Sequence, residues 1–319
     1  MEKDKNLVLV YPYGIWRNFY IAFYDVFIRD YLFKYLEKVK ITFIVKDKIG
    51  KLLIEEKFKC FDFNVYVIQE TLDIWIRDWA PIVCNNIIVK AKFSPKYLKR
   101  AYKYQSVPLD TAGKKIADKL NLKYSEISIV LDGGNFVHNG HGVCIITNRV
   151  ITENENLSIG EIEKILKESY NLNKVVFVPV EPGDETGHID GMVRFTDEKT
   201  LFIADYPDEY EKGKVFMDNV EILLREKLGP DYKIIRLLNE VPVDLHKALS
   251  FPSAVGNHTN FLQIGNKIFM PDFKLKTDEQ AYMSLKNNLE NHEIIRVNCR
   301  ELYSIASDGG VLNCISWQY

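Results

Sequence analysis

The chain has 319 residues, 47% of them hydrophobic, with 42 basic and 44 acidic side chains for a formal charge of −2. That apolar content supports a substantial core, while the balanced charge supplies no field to recruit nucleic acid or an anionic membrane surface. No apolar run reaches the eighteen or so residues of a membrane span, and Met1 to Lys5 lead into no secretory core, so neither nucleic acid nor membrane is expected as a partner and a cytoplasmic location is.

Taken in chain order, the β-rich segment NLVLVYPYG (6–14) has no strand before it. Helical periodicity covers 17–39, and the β-rich run ITFIV follows at 41–45. IRDWAPIVCNNIIVKAKF (76–93) reads as two strands around the Asn85-Asn86 turn. The basic stretch KYLKR (96–100), with Lys103, is short and reads as a solvated loop or helix face. A helix over 111–122 leads to a strand at 127–131, and DGGNFVHNGHGVCIITNRVI (132–151) forms a hairpin at Asn139-Gly140. The third helix, 158–172, carries a Ser158/Glu161 capping box and precedes a strand at 175–180. GHIDGMVRFTDEKTLFIADY (187–206) turns at Asp197-Glu198 before a helix over 213–229 that Gly229-Pro230 stops, and a strand at 233–238 follows. HTNFLQIGNKIFMPDF (258–273) turns at Gly265-Asn266, ahead of a helix over 278–292, with Asp278 as its cap, and a strand at 293–298. GGVLNCISWQY (309–319) ends the chain with the first strand of such a hairpin and no second.

The units recur at roughly sixty residues, a period that signals a circular array. NLVLVYPYG can supply the strand that the last unit lacks, because a closed ring of repeats leaves no loose sheet edge. The expected fold is therefore α/β, a five-bladed pseudo-symmetric α/β propeller spanning 1–319 as one domain and closed by pairing of the N- and C-terminal strands.

Equivalent positions in a ring of similar units face one axis, so the polar residues ahead of each hairpin should converge: Asp78, Asp132, His188 with Asp190, Asn260 and Cys314. The five cysteines, Cys60, Cys84, Cys144, Cys299 and Cys314, include no CxxC pair and suggest neither disulfide framework nor zinc site. Cys314 stands apart through its glycine-rich approach. A thiolate attacks, and a histidine within reach can move protons for it. Several carboxylates around a thiolate oppose its formation unless the substrate brings positive charge, and a guanidinium does so with forked donors that match carboxylates.

WIRDWAP (75–81), LDGGNFVHNGHG (131–142), DETGHIDGMVRF (184–195), HTNFLQIGNKIFMP (258–271) and GGVLNC (309–314) together resemble the ordered motif set of the agmatine deiminase and bacterial-type peptidylarginine deiminase family of guanidine-modifying enzymes. The resemblance implies the pentein propeller, no cofactor and no metal, and hydrolysis of a guanidine to a ureido group and ammonia. It also implies roles: Cys314 as nucleophile, His188 as general acid and base, Asp132 orienting His188, Asp78 and Asp190 clamping the guanidinium, and Asn260 as a further polar contact. Asp132 stands where many agmatine deiminases have Glu. Trp79 is expected either to wall the pocket or to pack in the core. Arg77 is expected to pair with the neighbouring carboxylate, and His258 either to line the pocket or to pack. Asp184 and Glu185 either crown the entrance or form a solvated loop, while His138 and His141 lack a third ligand for a metal.

The segment VYPYGIWRNFY (10–20) departs from the usual agmatine deiminase opening, and DGGN and HIDG read more like the peptidylarginine branch. A small guanidino substrate is expected, agmatine first, with free, modified or peptide arginine as alternatives. An amidinotransferase using the same covalent intermediate and a non-catalytic guanidine-binding relative are the remaining readings, and a homodimer is expected by analogy with such enzymes.

Overall fold

A computed structural model describes residues 6–15, 20–98, 103–242 and 252–319. Arg17, Asn18 and Phe19 of the predicted first helix, and Lys99 and Arg100 of the basic stretch, lie outside the described residues. Strands β1 (Leu7–Val10), β2 (Ile41–Val45) and β3 (Asn64–Val67) run parallel. Four three-stranded sheets follow: β4 (Ile82–Cys84), β5 (Ile87–Lys92) and β6 (Ser125–Val130); β7 (Val137–His138), β8 (Val143–Thr147) and β9 (Lys174–Val178); β10 (Val193–Phe195), β11 (Thr200–Asp205) and β12 (Lys233–Leu238); β13 (Leu262–Ile264), β14 (Lys267–Pro271) and β15 (Glu293–Val297). Each repeats one rule, an antiparallel hairpin and then a parallel partner reached through a helical crossover.

β16 (Ser316–Gln318) has no hairpin partner of its own and pairs antiparallel with β1, Leu7 opposite Gln318 and Leu9 opposite Ser316. Asn6 N–H donates to the Tyr319 carbonyl at 3.2 Å and Tyr319 N–H donates back at 3.3 Å. The five blades and the predicted closure by the two ends are thus present. β1, β2 and β8 are buried at every residue, as strands covered on both faces must be, and their sequences LVLV, ITFIV and VCIIT are continuously apolar or small. At the β4–β5 turn Asn85 and Asn86 both take positive φ, the conformation a two-residue hairpin demands.

The helices follow their signals with shifted ends. Ser158 and Glu161 form the reciprocal capping box ahead of Ile159–Tyr170, and Gly229, at φ 92°, ends Glu211–Leu228. The helix predicted from Thr111 starts at Ser106, because Pro108 falls within its first turn, where a missing N–H costs nothing. Asp278 sits inside Lys276–Asn288 instead of capping it as a first residue; its Oδ2 accepts the Leu275 N–H at 2.6 Å. The helix Lys48–Lys57, capped by Asp47 accepting from Gly50 N–H at 2.8 Å, was not predicted. It buries only Gly50 and Ile54, too narrow a stripe to show as periodicity.

Candidate active site

Each predicted polar residue sits one tight turn ahead of its blade's first strand. Asp78 lies on the short helix Ile76–Trp79 before β4, and Asp132 precedes the turn Gly133–Asn135 before β7. His188 and Asp190 flank Ile189 at the turn before β10, while Asn260 and Cys314 precede β13 and β16. The turns bearing Asp78, Asp132 and His188 touch one another. Gly134 permits this: a Cβ there would stand 2.6 Å from both Asp78 Oδ1 and His188 Nδ1, so no other residue fits between acid and imidazole. The Gly134 N–H itself donates to Asp78 Oδ1 at 3.2 Å.

His188 Nε2 lies 3.1 Å from Asp132 Oδ2 and Nδ1 lies 3.6 Å from Asp78 Oδ1, so the ring is held between two acids. Tyr97 completes that end, donating its hydroxyl to Asp132 Oδ2 at 2.7 Å and meeting the imidazole edge-on. At the other end Cys314 Sγ lies 3.3 Å from Asn260 Oδ1 and 3.9 Å from Asp190 Oδ2. Asn313 Nδ2 donates to Asp190 Oδ2 at 2.6 Å, and Asn260 Oδ1 also accepts the backbone N–H of Asn313 and Cys314. Cys314, His188, Asp190 and Asn260 all line a cleft of about 480 Å³.

Burial, then the charges of Asp190 and Asp78, push the Cys314 thiol well above its ordinary value. Burial also raises the Asp78 carboxyl, to about 8, against the pull of His188. For His188 burial alone would lower proton affinity, but Asp78, Asp132 and Asp190 outweigh it and bring the imidazole to about 10. The resting site is therefore a thiol beside an imidazolium and a group of crowded acids. An incoming cation relieves that crowding and favours the thiolate.

Of the predicted residues, Asp78 and Asp132 contact His188 without lining the cleft themselves, and Trp79 packs in the core. It is fully buried, donates Nε1–H to Asp73 Oδ1 at 2.7 Å, and lies beside Ile76 and Ile116. Arg77 makes no ion pair with Asp78 among the described residues; its Nε donates to the Asn313 carbonyl at 3.3 Å and its N–H to the Cys314 carbonyl at 3.2 Å, tying the two turns together. His258 is packing, with Nδ1 2.8 Å from the Leu238 carbonyl and Nε2 2.7 Å from Asp278 Oδ1. Asp184 and Glu185 line the cleft, and Asp184 Oδ2 accepts the His188 N–H at 3.1 Å. No cluster of three or more metal-binding side chains occurs among the described residues.

Sequence reasoning missed four contributors. Asn313 was signalled only as the neighbour of Cys314, and Tyr97 was hidden in a basic stretch read as solvated. Glu181 and Tyr206, hydrogen-bonded to each other, line the cleft from two different connections, with burial raising the Glu181 carboxyl to about 7.

A propeller whose blades deliver one thiol, one imidazole and several acids to a single cleft defines a cysteine-dependent guanidine-modifying enzyme. The sequence model of the Porphyromonas-type peptidyl-arginine deiminase family matches residues 1–319, and the chain belongs to that family. A Mycoplasma capricolum protein with a provisional agmatine deiminase name is 26% identical over 306 residues, covering 85% of this chain and 83% of that one. Among solved structures, a substrate-bound variant of the C. jejuni agmatine deiminase superposes with TM-score 0.82 at 21% identity, covering 99% of this chain and 93% of that one. The Enterococcus faecalis agmatine deiminase does so with TM-score 0.78 at 17% identity, covering 99% and 93%. No described helix is long and apolar enough to cross a membrane.

Proposed function

We propose that this chain hydrolyses the guanidinium of agmatine to the ureido product and ammonia. The observation that carries the choice of substrate is the charge of the cleft: beyond Asp190 its described lining adds Glu181, Asp184, Glu185 and Glu240 and contains no lysine or arginine. A substrate with a second cation at its far end complements that surface, whereas the carboxylate of free arginine meets like charge. The relatives named above as agmatine deiminases support the same choice.

In this reading Asp78 and Asp190 hold the guanidinium nitrogens, and the bound cation lowers the cost of ionising Cys314, whose proton passes to solvent through the open cleft. Sγ adds to the guanidinium carbon. His188, as imidazolium, gives its proton to the departing nitrogen, which leaves as ammonia from a covalent thiouronium. Water then adds to the same carbon as His188 takes one of its protons; the adduct expels the thiolate, and the remaining hydroxyl proton, released as the C=O forms, leaves the neutral ureido product and restores the Cys314 thiol. Asp132 and Tyr97 orient His188 throughout, Asn260 and Asn313 fix the thiol and Asp190, and preorganised charge supplies most of the rate.

The whole chain from 1 to 319 serves as one catalytic domain in this proposal, since residues between Glu181 and Cys314 line one cleft whose histidine Asp78 and Asp132 hold. A reducing cytoplasm suits five free cysteines, and sedimentation tests the homodimer expected by analogy. The deciding experiment incubates the protein with agmatine, arginine and a blocked arginine peptide, reading ammonia and ureido product, with Cys314→Ala alongside. Agmatine turnover lost in Cys314→Ala is expected. Equal signal from both proteins overturns the mechanism, preference for the peptide overturns the substrate, and ammonia released only with an added amine acceptor, as amidino transfer, overturns hydrolysis.

A further inference from the structure

A second, small void of about 10 Å³ also touches the His188 imidazole, lined by Asp132, Asn135, Arg149 and Glu153 among others. Two carboxylates meet it with an unsatisfied oxygen each. Asp132 uses Oδ2 for Tyr97 and His188, and its buried Oδ1 has no partner. Glu153, at the end of the short helix Arg149–Glu153, accepts the Lys96 N–H on Oε2 at 2.8 Å, and its buried Oε1 has no partner. A buried carboxylate oxygen without a donor is costly, and two around one void are too many to leave unmatched. The void is of the size that one water needs, and a water has two hydrogens to give.

We propose that Glu153 is a positioning residue for the acid–base histidine, sharing one buried water with Asp132 across this void. The water donates one hydrogen to Glu153 Oε1 and one to Asp132 Oδ1, which fixes the Asp132 carboxylate while Oδ2 faces His188. It also sets a second negative charge behind the His188–Asp132 pair, where it favours the imidazolium that protonates departing ammonia. Glu153 is faced by Asp132, Arg149 and Lys96; burial and Asp132 raise its carboxyl, while the Lys96 amide and the charges of Arg149 and Lys96 lower it. His188 is faced by Asp78, Asp132, Asp190 and Tyr97. Arg149 spends Nε and one terminal nitrogen on the Thr186 and Glu185 carbonyls, so it braces the loop leading to His188.

The consequence for turnover rests on the deiminase reading, but the test does not. Glu153→Gln keeps a group able to bond the water and removes the charge. NMR titration of His188, assigned with His188→Ala, is expected to show its pKa about one unit lower in Glu153→Gln than in wild type, the scale of one charge removed at short range. The alkaline limb of kcat/KM should move down equally, with the melting temperature nearly unchanged. A high-resolution crystal structure of the wild type should show a water within hydrogen-bond distance of both oxygens, and this result stands even if the variant fails to fold. An unshifted His188 titration in folded Glu153→Gln, or a void without that water, overturns the proposal. Absence of deiminase activity leaves both readouts intact and counts only against the function proposed above.

Discussion

Among the described residues two buried histidines, His188 and His258, are held by aspartates, and they differ in what is left unsatisfied. In His258–Asp278 both ring nitrogens face acceptors and Asp278 also accepts the N–H groups of Phe273 and Leu275. Neither side chain reaches solvent, with His258 0% and Asp278 1% exposed. Although burial raises the Asp278 carboxyl, His258 and those amides together hold it below its ordinary value. In His188–Asp132 the histidine opens on the cleft, its second nitrogen stands 3.6 Å from another acid, and Asp132 has one oxygen that no protein group reaches. The same two residue types thus make a brace where every bond is closed and, in the proposed mechanism, a proton carrier where protein groups leave some open.

The strongest way to break this contrast is to exchange its consequences. His188→Ala should lower agmatine turnover by about a thousandfold or more, the upper range for losing a positioned acid–base group, with a smaller loss of stability than the next variant, because Asp132 keeps the Tyr97 hydroxyl and Asp78 the Gly134 N–H. His258→Ala should do the reverse and remove about 3–5 kcal/mol of unfolding free energy in denaturant titration, because it leaves the Asp278 charge buried and alone. Equal loss of stability in the two variants would erase the distinction.

The pH profile sharpens it further. Asp78 gains its charge through about 8 and so binds the guanidinium better as pH rises, while His188 loses its proton through about 10 and can no longer protonate ammonia. A bell-shaped kcat/KM with limbs near those values is expected, each falling about tenfold per unit, and the limbs belong to the coupled acid–imidazole group. A flat profile between pH 7 and 11, roughly the window of both limbs, would refute this assignment. The smallest effect should come from the distal end. Glu181→Gln should raise KM for agmatine about five- to tenfold, the worth of one exposed-to-half-buried charge contact, while leaving an alkylguanidine without the second amine nearly unaffected.

The repeat was legible because each blade advertises itself twice, through a hairpin turn such as Asn85-Asn86 and through an amphipathic crossover such as Ile159–Tyr170. Closure by the ends was legible from a strand without a partner at each terminus. The helix Lys48–Lys57 was not, since only two of its residues are buried. Within the site, Asp78, Asp132, His188, Asp190, Asn260 and Cys314 were found by their equivalent places in the repeat. Tyr97, Glu181, Tyr206 and Glu153 lie on connections that share no register with the blades, so no periodicity points to them. Of the two readings open for Trp79, packing in the core is the one its burial and its bond to Asp73 support.

The Gly309-Gly310 turn has a spectroscopic consequence. A Cβ on Gly310 would fall 2.4 Å from Trp75 Cζ3, so the half-buried indole lies flush on the backbone that lines the cleft next to the thiol loop. Trp79 and Trp317 are sealed in the core. Fluorescence from Trp75 should therefore change on ligand binding, while emission from Trp79 and Trp317 changes only on unfolding, giving the protein a native optical gauge of occupancy.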